Sequence, residues 1–216
     1  MNNIFKTHND PVKIRAEKER GTEISPFDPP DEFAPPSLEP VSYNDFHPFL
    51  QQLIDEHIEF KNVLKAFEDA LVKWKTNNWN FTNEINYGFK ILFKYFDQNV
   101  PDHNQKEERK LFPPLHLKLI ETGEHNTVDT SITGINLMED EHIKAAQSVS
   151  IVLNFLALGS RLPDKESREI TFHTAYEQGM ALIETMNLHI FREENILFPQ
   201  AMKYLSLNVL DSLLNT

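Results

Sequence analysis

From about Ser42 onward the apolar residues recur every three or four positions and never in sustained alternation, so the pattern predicts helices and no strands. A first helix, with Asn44 or Asp45 as its N-cap, carries the stripe Leu50, Ile54, His57, Phe60 or Lys61, Leu64, Phe67, Leu71 and Trp74. A second begins near Thr82 and runs Ile85, Phe89, Leu92, Phe96 and Val100 into His103 and Glu107, with Pro101 expected to bend it. The third, from about Ile135 to Gly159, aligns Met138, His142, Ala145, Val149, Val152 and Leu156. The fourth, from about Pro163, aligns Gly179, Ile183, Met186, His189, Glu193 and Ile196, and a short C-terminal helix follows Ser206 or Asn208. Long amphipathic helices with few glycines predict an all-α, up-down four-helix bundle over residues 42–216.

Residues 1–41 break this pattern. The first 40 residues hold seven of the thirteen prolines, which predicts an extended arm, either solvated or pinned to the domain by Phe27, Phe33 and Leu38.

Six polar residues stand where such a bundle expects Leu or Ile: His57, His103, Glu107, His142, His189 and Glu193. Four of them belong to a phrase the chain carries twice, 86 residues apart, from His103 to Pro113 and from His189 to Pro199, both reading H-x-x-x-E-E-x-x-L-F-P. The other two end a smaller echo, Asp55-Glu56-His57 and Asp140-Glu141-His142, so the duplicated unit is a pair of helices. The four-residue step from His to Glu places imidazole and carboxylate one turn apart on one helical face. Two carboxylates buried in that stripe would be costly unless paired, and no Lys or Arg follows the stripe closely. A bound metal supplies the missing positive charge.

Glu108 and Glu194 come one position later and rotate about 100° away. They are expected to face neighbouring helices or solvent, or to hold a ligand imidazole from outside. His8, His47, His116, His125 and His173 are read as non-ligands. Each Leu-Phe-Pro is expected to end or kink its helix, because the residue before proline disfavours the α region.

Composition narrows the chemistry. The chain has no cysteine, which excludes disulfides, thiol catalysis and iron–sulfur ligation and leaves nitrogen and oxygen donors that favour iron or manganese. A formal net charge of −12 argues against nucleic acid or an anionic membrane as partner. No apolar run approaches a membrane span and Met1 to Asp10 lack a signal core, so a cytoplasmic location is expected.

A histidine on the first helix, H-x-x-x-E on the second, a histidine on the third and H-x-x-x-E on the fourth resemble the hemerythrin-like family of HHE cation-binding domains, over residues 42 to about 205. In ligand pattern the chain is most similar to bacterial di-iron proteins associated with iron-centre repair and nitric oxide stress. The resemblance implies two iron ions joined by an oxo or hydroxo bridge, one held by His57 and His103, the other by His142 and His189, with Glu107 and Glu193 bridging; manganese suits the same donors. Oxygen-carrying hemerythrins have a fifth histidine one turn from the other on the third helix, where this chain has Met138 and Ala146. The repair proteins often carry a cysteine-bearing N-terminal module, where this chain has its proline-rich segment.

Eight donor contacts plus a bridging oxygen leave roughly one open position per iron. The expected ligands are therefore small diatomics or peroxide, bound or reduced in oxidative or nitrosative stress defence or in iron-centre repair, which would make the protein a di-iron oxidoreductase. An oxygen or nitric oxide binding or sensing module without turnover is the alternative. A ferritin-like carboxylate oxidase is a third reading, from Glu139-x-x-His142, although Met186 stands where the fourth helix would need the second such Glu. The electron donor and any client protein are not legible in the sequence.

Overall fold

Helices account for every regular element of the computed structural model, which describes residues 41–126 and 128–214. The expected arm over residues 1–41 lies outside the described residues except for its last position. Among the described residues there is no strand, and no helix is long and apolar enough to cross a membrane.

The first long helix, α1 (Pro48–Thr76), is not capped by Asn44 or Asp45 as expected. Tyr43–Asp45 instead form one 3-10 turn, and His47 caps α1 by accepting the Phe49 N–H on its Nδ1 at 3.2 Å. Pro48 decides the start, since it fits the first turn of a helix and holds the residue before it extended. The next helix, α2 (Asn83–Gln98), is capped by Thr82, whose hydroxyl accepts the Ile85 N–H. The chain then breaks at Asn99 and resumes as α3 (Val100–Lys106), which places Pro101 in a first turn where its missing N–H costs nothing.

Neither Leu-Phe-Pro ends its helix. Glu107–Leu111 and Glu193–Leu197 each form a widened, π-helical turn in which the N–H of Phe112 or Phe198 donates to the carbonyl five residues back, on Glu107 or Glu193. The chain continues as α4 (Phe112–Thr122) in the first copy and α7 (Phe198–Tyr204) in the second. The widened turn shifts the hydrogen-bond register so that each proline falls in a new first turn; helices absorb an extra residue this way, often at functional sites.

Two further long helices, α5 (Gly134–Gly159) and α6 (Lys165–Arg192), are capped by Thr133 and Asp164, and α8 (Leu207–Leu214) closes the described chain. Contacts join α1 to α2 and α6, and α5 to α6 and α2, forming a helical bundle; α8 packs on α1 and α4 on α7. Its core is aromatic, with Trp74 fully buried and ringed by Trp79, Phe81, Phe89 and Phe172. At Gly88 the helices α1 and α2 approach so closely that a Cβ would overlap that of Ala70 and lie 2.9 Å from the Ala66 carbonyl oxygen.

Candidate metal centre

The six residues singled out by their place in the apolar stripe come together in the bundle interior. His57 on α1, His103 on α3, His142 on α5 and His189 on α6 converge on Glu107 and Glu193, each the first residue of a π-helical turn. Both carboxylates are 0% exposed, and only His103 is more than slightly exposed among the histidines.

Each carboxylate turns one oxygen to each histidine pair. Glu193 Oε2 lies 3.2 Å from His57 Nε2 and its Oε1 lies 3.2 Å from His189 Nε2. Glu107 Oε1 lies 3.5 Å from His103 Nε2 and its Oε2 lies 3.4 Å from His142 Nε2. Within each pair the two Nε2 atoms face one another at 3.1 Å. Two groups of donors result, His57, His103, Glu107 and Glu193, and His142, His189, Glu107 and Glu193, with the carboxylates common to both. In either group the donor atoms lie within 4.8 Å of one another.

The tautomers follow from the outer faces of the rings. Every Nδ1 meets a carboxylate: His57 that of Glu194 at 3.2 Å, His103 that of Glu56 at 2.8 Å, His142 that of Glu108 at 2.7 Å and His189 that of Glu141 at 3.0 Å. An ionised carboxylate only accepts, so each Nδ1 carries its hydrogen and a neutral ring turns its Nε2 lone pair inward. All four oxygens of Glu107 and Glu193 are buried without a hydrogen bond. With the rings neutral, eight lone-pair donors converge where burial makes each unsatisfied group expensive, an arrangement that a metal cation relieves and that protons on the histidines relieve in its place. Their spacing also suits one, since donors about 2.0–2.2 Å from a shared ion stand about 3.0–3.5 Å apart at octahedral or tetrahedral angles.

Cations surround the centre without touching the inner carboxylates. Lys106 pairs with Glu56 and Arg192 with Glu141, while Lys61 donates to both oxygens of Glu194 at 2.8 Å. The position matching Lys61 in the second half is Ala146, and the Glu108 side chain is 41% exposed. Burial opposes ionisation of Glu56, yet His103 and Lys106 hold its pKa at about 2. Burial likewise disfavours a charged His57, but Glu193 and Glu194 overcome it and push the pKa up to about 9. His189 is pushed up to about 10 by Glu193 and Glu141 against its own burial. Glu193, for all its burial, is held well below the usual carboxylate range by His189 and His57.

Sequence reasoning left Glu108 and Glu194 undecided and missed Glu56 and Glu141 altogether. The signal was present, because Glu56 and Glu141 are the middle residues of the repeated Asp-Glu-His, and Lys106 and Arg192 both precede the phrase's first Glu. Among the phenylalanines, Phe198 stacks on His57 at 5.7 Å and Phe112 on His142 at 6.1 Å. Phe67 and Phe89 belong instead to the Trp74 core. His47 binds Asp211 as well as capping α1, His116 meets Thr133, and His173 pairs with Glu177. Glu139, on which the ferritin-like reading rested, is not among the carboxylates grouped with the histidines in the described residues.

No known protein family, curated protein or solved structure matches this chain. The buried His/Glu clusters that could hold a metal are consistent with a hemerythrin-like site, and they stand on the chain's own geometry.

Proposed function

We propose that this chain is a hemerythrin-like, up-down four-helix bundle holding two iron ions, His57 and His103 on one and His142 and His189 on the other, with Glu107 and Glu193 shared between them. Its proposed role is to bind or reduce nitric oxide, dioxygen or peroxide in oxidative or nitrosative stress defence or iron-centre repair. The observation that carries the reading is the splitting of each buried carboxylate, one oxygen toward each histidine pair. Iron bound there would alternate between its divalent and trivalent states and offer a position to a small ligand.

The chain's own groups prepare that chemistry. Glu56, Glu108, Glu141 and Glu194 orient the four imidazoles and raise their basicity through the Nδ1–H bonds. Phe112 and Phe198 lie nearly parallel to one ring of each pair and give that side of it an apolar neighbour. Lys61, Lys106 and Arg192 balance the outer carboxylates, leaving the charge of Glu107 and Glu193 for the metals.

The test is to load the full chain with iron, count the metal, reduce it, and record the visible spectrum on exposure to dioxygen, nitric oxide and peroxide. Two iron ions per chain are expected and, with a small-molecule reductant kept in excess to return the electrons that each cycle consumes, multiple turnovers of peroxide or nitric oxide. A reversible spectral change without turnover would assign the chain to ligand binding or sensing, and a chain that takes up no iron would overturn the reading.

A further inference from the structure

The four histidines share a small cavity on the side of the centre away from the two carboxylates, with about 20 Å³ of room for the centre of a water molecule. A single water needs about 10–15 Å³ on that measure, so the space admits one end of a diatomic or triatomic ligand and nothing larger. Because the chain is duplicated, the cavity wall is built from matched positions 85 or 86 residues apart: Phe60 and Ala145, Val100 and Met186, Asn104 and Ile190. The two halves have diverged. Ala145, Met186 and Ile190 are apolar and buried, so the second half is a sealed floor. Val100 and Asn104, with Tyr95 and His103, are all half-buried, so the first half reaches the surface beside the break at Asn99.

The polar groups of this opening are committed except for one. Tyr95 donates its hydroxyl hydrogen to the Glu56 carbonyl at 3.1 Å, and the Glu56 carboxylate is taken by His103 and Lys106. The Asn104 side chain lines the cavity and makes no hydrogen bond to a described residue. Its amide can donate two hydrogens.

Resting on the di-iron reading above, we infer that small ligands reach the centre from one side only, between Tyr95, Val100 and Asn104, and that the Asn104 amide donates a hydrogen bond to the bound ligand. The ligand class is a diatomic or triatomic molecule or anion with an accepting end. In the matched half Ile190 offers no donor and Met186 fills the path.

Azide is a suitable probe, followed by rapid mixing with the iron-loaded full chain. Val100→Phe should slow azide association about tenfold or more with two iron ions still bound, by narrowing the opening. Asn104→Leu should weaken azide about tenfold, mainly through faster dissociation, the effect of losing one hydrogen bond to a charged ligand, and Asn104→Gln should recover part of it. Ala181→Phe, at the exposed position that matches Tyr95, should change neither rate. Unchanged rates in Val100→Phe and Asn104→Leu, or equal slowing in Ala181→Phe, would overturn the inference while leaving the di-iron reading intact. Should the chain take up no iron, that reading fails separately, and xenon NMR on the metal-free chain then decides. Loss of xenon binding in Val100→Phe alone supports the one-sided opening, and retention overturns it.

Discussion

At the scale of single residues, Glu107 and Glu193 differ from every other carboxylate in the described chain by being fully buried with no hydrogen bond to either oxygen. Replacing Glu193 by Ala should lower bound iron from two ions per chain to one or none, measured by metal analysis after gel filtration; a count of two would show that the carboxylate is not shared. The outer carboxylates act at one remove. Glu108 is the least buried of them and has no cation matching Lys61, so Glu108→Gln should weaken metal binding about tenfold to a hundredfold in competition with a chelator. Its thermal stability should barely change. Proton binding competes with metal at the same atoms. His57 and His189 have folded-state pKa values raised to about 9 and about 10, above the ordinary 6.5. Their contribution to the stability of the chelated protein is complete below about pH 6.5 and is lost as pH rises through 9 to 10. The melting temperature of chelator-treated protein should therefore fall across that window, and a rise there would contradict the pairing.

At the scale of elements, the two π-helical turns set the direction of the inner and outer carboxylates together. Glu107 points inward and Glu108 outward to His142 across the bundle, and Glu193 and Glu194 repeat this for His57. Asn195 lies in the second widened turn with its side chain at the surface, donating to the Phe191 carbonyl at 2.8 Å. Deleting it would return that turn to α register and rotate everything on one side by about 100°. Helix content by circular dichroism should stay close to that of the parent while iron binding is lost; retained iron would mean that the widened turn is incidental to the site. Nothing in the sequence announced these turns. A proline after Leu-Phe is read as a helix end, because local rules see the missing N–H but not the packing that holds the chain helical on both sides of it. Helix starts were legible near Thr82 and Pro163, where Thr82 and Asp164 prove to be the caps, and the one cap read from sequence, at Asn44 or Asp45, was overruled by Pro48.

At the scale of the whole molecule, the centre exists only while α1, α3, α5 and α6 hold their mutual rotation, so core packing and metal binding should be coupled. Gly88, at the close approach of α1 and α2, is far in sequence from every donor. Gly88→Val should cost about 1–3 kcal/mol by overpacking, read by denaturant unfolding of the chelated protein. Bound metal should recover part of that loss, because a ligand that binds only the folded state stabilises it.

The sequence by itself determined the helices, the buried stripe and the six residues within it, because helical periodicity and an internal repeat are properties of one strand of chain. Charge, the absent cysteine and the four-residue His-to-Glu step belong to the same class of information. Only the tertiary structure decided which imidazole faces which carboxylate. Glu194 reaches His57 and Glu108 reaches His142 across 137 and 34 residues of chain, and no spacing rule encodes the rotation of one helix against another. The splitting of Glu107 and Glu193 between the two histidine pairs, and the one-sided cavity beside them, likewise arise from packing, where duplicated halves that look alike in sequence come to stand in different surroundings.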